Sequence, residues 1–532
     1  MPLCIDRPQL PRDIQISIRI EEAGKECLNM HTIIASLEFP LWLRASHYLN
    51  LLFIGLLIRS GIQILGAHPR LYWNDGCKPG SEWIKFTRNK IPKDKLYTSM
   101  DDEIPVTPVL ALPGEDNLGL GRLWHFFTVI FWVLNGLVYV ILLFATGEWS
   151  RLIPTSWSIF PDAWHTFLTY ITFHIPPASD FHPYDPLQQL AYAAVVFLLG
   201  PFMILTGAAM SPSIEGRFPW YVKIFGGKQS ARSLHFLSLI AFTIFIIIHT
   251  ALVLIVHFQD NIRNIVFGDP NGNTGLAILI AVIALLIVAV IYVWSSWYSL
   301  RHKRKMQNAL GALVDPVLKA LLHWEKSKQQ YKQSDITSYF WVNGRPPESE
   351  EYKRLAQYNF AEWKLEVCGL VEQPLALSLA DLRQLLKQAQ ITKHNCIQGW
   401  TGVAEWAGAP LTEVLNLCKP LAEARYLVFT SYQKGKGAVK PELEEALEHT
   451  YYEVIDMELA QHPETILAYE MNGEPLPIVH GAPLRLRVET VLGYKMVKYL
   501  KSIELVKEYS TIGQGHGGFR EDFQYYGRSA EI

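Results

Sequence analysis

The sequence predicts a multi-domain protein: an all-α bundle of five transmembrane spans followed by a mixed α+β, strand-rich soluble domain. Two observations predict it. Nearly all the long apolar runs of the 532-residue chain end before residue 300, and the charged residues crowd after it. From about residue 335, short β-rich runs, "WKLEVCGL" (363–370), "RYLVFTSY" (425–432), "LRLRVETV" (484–491) and "KSIELV" (501–506), alternate with turn clusters. A chain of this length also exceeds one ordinary domain. The pattern divides it into an N-terminal tail over 1–37, a membrane domain over 38–300, a polar helical linker over 301–334 and a soluble domain over 335–532.

The apolar runs lie near 41–66, 123–147, 187–210, 233–258 and 275–298. Each is long enough, at about 1.5 Å per helical residue, to cross about 30 Å of hydrocarbon. The fifth has no ionisable residue and ends in Trp294, Trp297 and Tyr298, which are interfacial anchors, with "RHKRK" directly after them. Buried core helices of a soluble protein are the competing reading, and five such runs in one chain make it the weaker one.

Lysine and arginine collect in two loops and after the fifth span. The 67–122 loop holds Arg70, Lys78, Lys85, Arg88, Lys90, Lys93, Lys95 and Arg122, and the 211–232 loop holds Arg217, Lys223, Lys228 and Arg232. The other two loops offer Arg151 and Arg263. The positive-inside rule then puts the C-terminal half in the cytoplasm and the N-terminus outside. Arg7, Arg12, Arg19 and Lys25 of the tail oppose that orientation. The tail shows neither an apolar export core nor a twin-arginine pair, so a folded C-terminal domain is expected to stay in the cytoplasm.

A net charge of −2 gives no argument for a nucleic-acid partner. None of the 6 cysteines forms a C-x-x-C pair, which removes the usual spacings of a thiolate zinc site, a ferredoxin cluster and a c-type haem.

The fourth span carries His235 and His249, fourteen positions apart. That separation advances about 21 Å and returns to nearly the same helix face. A histidine in lipid requires a partner, and haem iron accepts a neutral imidazole inside an apolar wall. Second ligands come from His47, at the start of the first span, and His125, at the start of the second. Antiparallel threading pairs His125 with His235 and His47 with His249, predicting two b haems stacked across the bilayer. Arg59, inside the first span, calls for an anion such as a haem propionate, or else for snorkelling or an interhelical hydrogen bond. His257 is expected at the membrane interface. His68, His165, His174 and His182 are candidates for quinone contact or plain surface.

On these residues, with "R-x-x-H" at Arg44–His47 and the fourteen-residue histidine pair, residues 38–305 resemble the bacterial di-haem cytochrome b family. That family includes the b561-like subunits of nickel–iron hydrogenase and formate dehydrogenase. The resemblance implies electron exchange with the quinone pool.

In the soluble half, "KHNCIQGW" sets Cys396 in a tight polar loop before a helix, and His480, Arg485, Lys495 and Lys498 supply a basic cluster. Positive charge lowers a thiol pKa and favours a metal ligand or nucleophile, and the same charges could hold a phosphate. Taken alone, these residues are better described as an inert buried cysteine with basic residues scattered over a surface.

Three stretches add a resemblance: "YFWVNGRPP" around Asn343, "HGAPLR" from His480 to Arg485, and "GYKMVKY" containing Val497, Lys498 and Tyr499. With the Cys396 loop, in this order, they resemble the molybdopterin-binding domain of the sulfite oxidase family over about 338–526, in the style of its bacterial methionine-sulfoxide reductase members. The resemblance implies molybdenum–molybdopterin, with the Cys396 thiolate on molybdenum as the catalytic ligand. It implies cofactor contacts from Asn343, His480, Arg485, Val497, Lys498 and Tyr499. The Gly-Asn-Arg run that follows the cysteine in animal and plant sulfite oxidases is replaced by "CIQGW", which argues against sulfite.

The combined expectation is a membrane-bound, molybdopterin-dependent oxidoreductase. It would pass electrons between quinone or quinol, two haems and a molybdenum site that performs oxygen-atom transfer on a small S- or N-oxide. The alternatives are a sulfur-oxyanion dehydrogenase feeding quinone, or an electron carrier whose soluble half only docks a partner.

Overall fold

The structure, a computed structural model, describes residues 39–172, 184–322, 330–440 and 443–527. The tail expected over 1–37, together with His174, His182 and part of the expected linker, lies outside the described residues.

Five apolar helices occupy the expected places: α1 (Leu41–Ala67), α2 (Leu118–Ala145), α3 (Pro186–Ala209), α4 (Lys228–Ile255) and α5 (Thr274–Arg301). No more than 22% of any span's most apolar window is buried. Side chains such as Leu137, Ile141, Ile247 and Leu286 point outward. Apolar surface on this scale is compatible with lipid and not with water. The chain is a multi-pass membrane protein.

The third span is interrupted by a π turn over Val195–Leu199. Pro201 has no N–H to donate and would crowd the preceding turn of a regular helix. The wider turn absorbs it, and the Gly200 N–H reaches back to the Val195 carbonyl.

The chain divides into two compact units, to each of which every span contributes a segment. In the unit formed by 1–54, 131–193 and 244–291, Asn135 Nδ2 of α2 donates to Asn50 Oδ1 (3.1 Å) and Ser46 O (3.3 Å) of α1. Arg44 donates to the Val266 carbonyl at 2.5 Å. Such polar contacts hold helices together where hydrophobic burial contributes little.

The other unit comprises 55–130, 194–243 and 292–532. The terminal nitrogens of Arg59 donate to backbone and hydroxyl oxygens: Tyr292 O at 2.9 Å, Pro108 O at 2.7 Å and Ser296 Oγ at 2.6 Å. The interhelical hydrogen bond, one of the three readings of Arg59, is observed.

The 67–117 loop is folded against the soluble domain. Arg70 clamps Asp102 with two bonds of 2.7 and 2.9 Å and reaches Glu82 at 2.7 Å. The Trp341 indole donates to Cys77 O at 2.8 Å, and Ser99 N–H to Val342 O at 2.8 Å. The expected linker contains helix α6 (Lys303–Leu322), which is docked as well. Met306, Leu310 and Val314 recur at four-residue spacing on its buried face. Arg304 donates to the Glu521 and Asp522 carbonyls at 2.9 and 2.6 Å.

The soluble domain contains β1 (Lys364–Gly369), β2 (Leu375–Ser378), β3 (Gln388–Asn395), β4 (Thr401–Pro410) and β5 (Tyr426–Lys434). It continues with β6 (Thr450–Asp456), β7 (Ile466–Met471), β8 (Glu474–Pro475), β9 (Arg485–Arg487) and β10 (Leu500–Val506). One sheet has the order β2-β1-β10-β5-β6, the other β8-β7-β4-β3 with β9 also on β7. The β1–β10 pair is parallel, and the remaining pairs are antiparallel. The expected strands near 363–370, 425–432 and 501–506 are present. The one expected over 484–491 shrinks to three residues, because the chain turns away after Arg487. Fully buried Trp341, Trp363, Trp400 and Trp406 fill the core.

β4 meets β7 across a register shift at Ala407/Gly408. A Cβ on Gly408 would stand 2.0 Å from the Leu467 carbonyl oxygen, which is backbone and cannot swing aside. Gly408→Ala is therefore expected to cost about 2–3 kcal/mol. It should lower the unfolding midpoint of the solubilised chain by roughly 5–10 °C, read by tryptophan fluorescence.

Candidate functional site

The loop carrying Cys396 is the turn of the β3–β4 hairpin. The sequence placed it directly before a helix, but β4 intervenes, and the helix Leu411–Cys418 follows only afterwards. The turn closes through Cys396 N–H to Trp400 O (3.1 Å) and Gly399 N–H to Cys396 O (3.0 Å). Gly399 sits at φ +112°, a conformation open to glycine and costly for other residues.

Cys396 is buried, with Sγ 3.4 Å from Gln398 Oε1 and 3.7 Å from Asn343 Nδ2. The sequence suggested that basic neighbours would lower its pKa. Burial instead pushes the thiol up to about 12, outweighing the opposing pull of Arg520 and Lys228. Such a thiol is a poor free nucleophile. It becomes a thiolate when a metal displaces its proton.

Beside it opens a cleft lined by Asn343, His394, His480, Arg485, Lys498 and Arg520, among others. These groups repel one another. Burial, then Arg487, pulls Arg485 down to about 9. Burial, then Arg485 and Arg520, holds Lys498 well below its usual value. Burial, then Lys498 and Arg485, brings His480 to about 3. Arg485 Nε is buried without a hydrogen-bond partner. No carboxylate stands among the described residues that line this cleft. Buried positive charge without a counter-ion is expensive, so the cleft is built for an anion. A pterin phosphate fits it, and the thiol beside it is suited to a metal such a pterin carries.

Four of the six expected cofactor contacts, Asn343, His480, Arg485 and Lys498, thus converge here. Val497 and Tyr499 do not line the cleft: both are packed in the core, with Lys498 projecting between them. Lys495 leaves the basic cluster as well. It is buried against Glu453 at 2.9 Å and Glu521 at 2.5 Å.

Sequence reasoning missed the partners that hold the hairpin. Lys228 Nζ, at the head of α4, donates to Asn395 Oδ1 at 2.8 Å. Gln229 Nε2 donates to Gly399 O at 2.8 Å and Thr401 Oγ1 at 3.2 Å. Lys393 is buried between Asp75 at 2.5 Å and Glu215 at 2.7 Å. Gln398 donates to Glu103, whose carboxyl is pushed up to about 7 by burial and then by Asp116, against the pull of Lys440. These partners come from loops that looked only topogenic. The one available signal was a head of α4, "KQSAR", more polar than a span end requires.

Among the intramembrane histidines, the His47 and His249 rings have centroids 6.1 Å apart. Two imidazoles on one metal atom, each through a bond of about 2 Å, place their centroids about 6 Å apart. Tyr192 Oη lies 3.2 Å from His249 Nδ1. In the other unit, His235 Nδ1 is 3.1 Å from the Met203 carbonyl, an acceptor only, so Nδ1 carries the proton and Nε2 keeps its lone pair. Ser60 Oγ donates to Leu56 O at 2.8 Å, which leaves its oxygen to accept from His125 Nδ1 at 3.0 Å. Hydrogen bonds of this kind orient metal-bound imidazoles. The arrangement fits haem iron at Nε2. His257, at the end of α4, begins a short amphipathic helix, Phe258–Phe267, as an interfacial residue would.

A family profile described as prokaryotic cytochrome b561 matches residues 38–268. One described as oxidoreductase molybdopterin binding domain matches 352–512. The chain is similar to the putative protein-methionine-sulfoxide reductase subunit YedZ1 of Azospira oryzae, 32% identical over 37% of this chain and 64% of that one. It is similar to the protein-methionine-sulfoxide reductase catalytic subunit MsrP of Campylobacter jejuni, 33% identical over 29% of this chain and 52% of that one. The MsrP of Xanthomonas campestris is 32% identical over 33% of this chain and 54% of its own. The chain thus spans between about half and 64% of these relatives' length. With the five spans, the paired histidines and the cationic cleft beside Cys396, these matches show a prokaryotic cytochrome b561 domain over 38–268 fused to an oxidoreductase molybdopterin-binding domain over 352–512.

Proposed function

We propose that this chain is a membrane-bound molybdenum oxidoreductase that uses electrons from quinol to reduce a small S- or N-oxide. On a sulfoxide, the overall reaction takes up two electrons and two protons, breaks the sulfur–oxygen bond and releases a sulfide and one water, with quinol oxidised to quinone. Bound to this chain, a molybdenum pterin supplies two-electron oxygen-atom exchange and b haems supply one-electron carriage.

The observation that carries the reading is the join between α4 and the Cys396 turn. Lys228 and Gln229 hydrogen-bond both flanks of that turn. Lys228 stands seven residues before His235, about 10 Å of continuous helix. A two-electron site and a one-electron site require a fixed separation, and these contacts supply one. Asn343, His480, Arg485 and Lys498 hold the anionic end of the pterin, and Cys396 gives its thiolate to the metal. His125 with His235, and His47 with His249, each grip one haem, making two. The relatives' printed names favour a sulfoxide as the acceptor.

The loops rich in lysine and arginine lie on the soluble domain's side, as the Gln229–Gly399 and Ser99–Val342 bonds require. By the positive-inside rule that side is the cytoplasm.

Two measurements test this reading. Cys396→Ser should keep the reduced-minus-oxidised haem spectrum and lose haem reoxidation by dimethyl sulfoxide or trimethylamine N-oxide by at least about a hundredfold. Full reoxidation in that variant would leave only an electron carrier. His47→Ala and His249→Ala should each remove the same half of the haem, and His125→Ala and His235→Ala the other half, read by pyridine haemochrome content and redox titration.

A further inference from the structure

A second, narrow cleft opens on the other flank of the Cys396 turn. Glu103, Asp116, Ile397 and Gln398 line it, and Asn343 and Arg520 line it together with the first cleft. The Cys396 thiol is hydrogen-bonded by Asn343, which lines both clefts, and to Gln398, which lines the second. Gln398 is fixed in turn: its amide donates to Glu103, and its Oε1 accepts from Trp400 Nε1 at 3.2 Å.

The two clefts differ in charge. The first holds cations and, among its described lining residues, no carboxylate. In the second, Lys440 stands 3.3 Å from Glu103 and 3.9 Å from Asp116, so two carboxylates share one lysine. Arg520 is the remaining cation, 7% exposed, with Nε buried and without a hydrogen-bond partner. Its N–H is a donor in want of an acceptor. Two carboxyl groups thus face two cations before any ligand arrives, and one strong donor remains.

We propose that this second cleft is the substrate site, and that Glu103 and Asp116, from the loop joining the first two spans, select an uncharged S- or N-oxide over a sulfur oxyanion. The proposal rests on the oxidoreductase reading above. An oxide presents one strongly polar oxygen without net charge, suited to the free Arg520 N–H, and Ile397 offers an apolar contact for its organic part. A sulfur oxyanion would bring further negative charge against two carboxylates already sharing a single lysine. Discrimination of this sort uses repulsion as well as attraction. Specificity for the soluble domain's reaction is thus written partly in the membrane domain's sequence.

The test uses the full chain in detergent. Glu103→Gln and Asp116→Lys are compared with the parent in quinol-dependent reduction of dimethyl sulfoxide, with sulfite as inhibitor. Sulfite binding to the oxidised protein is measured separately by calorimetry. Both variants should bind and be inhibited by sulfite about tenfold more tightly, with haem spectrum and pterin content unchanged. Asp116 lies at the exposed rim, so its variant remains informative if the buried Glu103 change disturbs folding. Turnover of sulfoxide with sulfite affinity unmoved in Asp116→Lys would overturn this assignment and leave the proposed function standing. Failure of the parent to reduce any S- or N-oxide would overturn both.

Discussion

The structure depends on one constraint: the turn that presents Cys396 cannot move independently of the fourth span. Lys228 and Gln229 hydrogen-bond the residues on either side of the turn, and Gly399 can be gripped this closely because its backbone takes a conformation that other residues resist. Electron transfer between a soluble site and a membrane site is ordinarily a problem of docking two proteins. Here the docking surface is internal, covalently linked and hydrogen-bonded.

Buried charge maintains that junction. Lys393, on the strand leading to Cys396, lies between Asp75 and Glu215, which come from two different interhelical loops. Removing one partner of such a buried cluster leaves an uncompensated charge, at a cost of about 3–5 kcal/mol. That penalty makes the cluster a poor general stabiliser and a good positional lock. Arg232 has the same character: its guanidinium donates to the Arg70 and His68 carbonyls at 2.9 and 2.6 Å, tying the first interhelical loop to the head of α4.

What could be read from the chain alone follows from where the signals are local. The spans were legible because lipid demands long apolar runs, and the paired histidines because fourteen residues return to one helix face. Asn343, His480, Arg485 and Lys498 were legible through motif order, and the structure brings them to one cleft. Val497 and Tyr499 belong to the same motif, but alternation along the chain turns them into the core while Lys498 faces out. The thiol environment was illegible for a different reason. Its pKa depends on burial, a tertiary quantity, and not on the number of basic residues nearby in the sequence. Glu103, Lys228 and Gln229 lie more than a hundred residues from Cys396, and the polar head of α4 hints at the last two without saying what they hold.

The π turn in α3 has a consequence for the membrane half. One additional residue in a helical turn rotates everything beyond it by about 100°. Past Val195–Leu199, that rotation brings the Met203 carbonyl and the Thr206 hydroxyl to bear on His235 Nδ1, each at 3.1 Å. In an uninterrupted helix the same two oxygens would point along a different azimuth, and the imidazole would lose what aims it. The π turn beside Pro201 thus sets the direction from which the His235 ring is held, so that a backbone irregularity in one span orients a side chain of another.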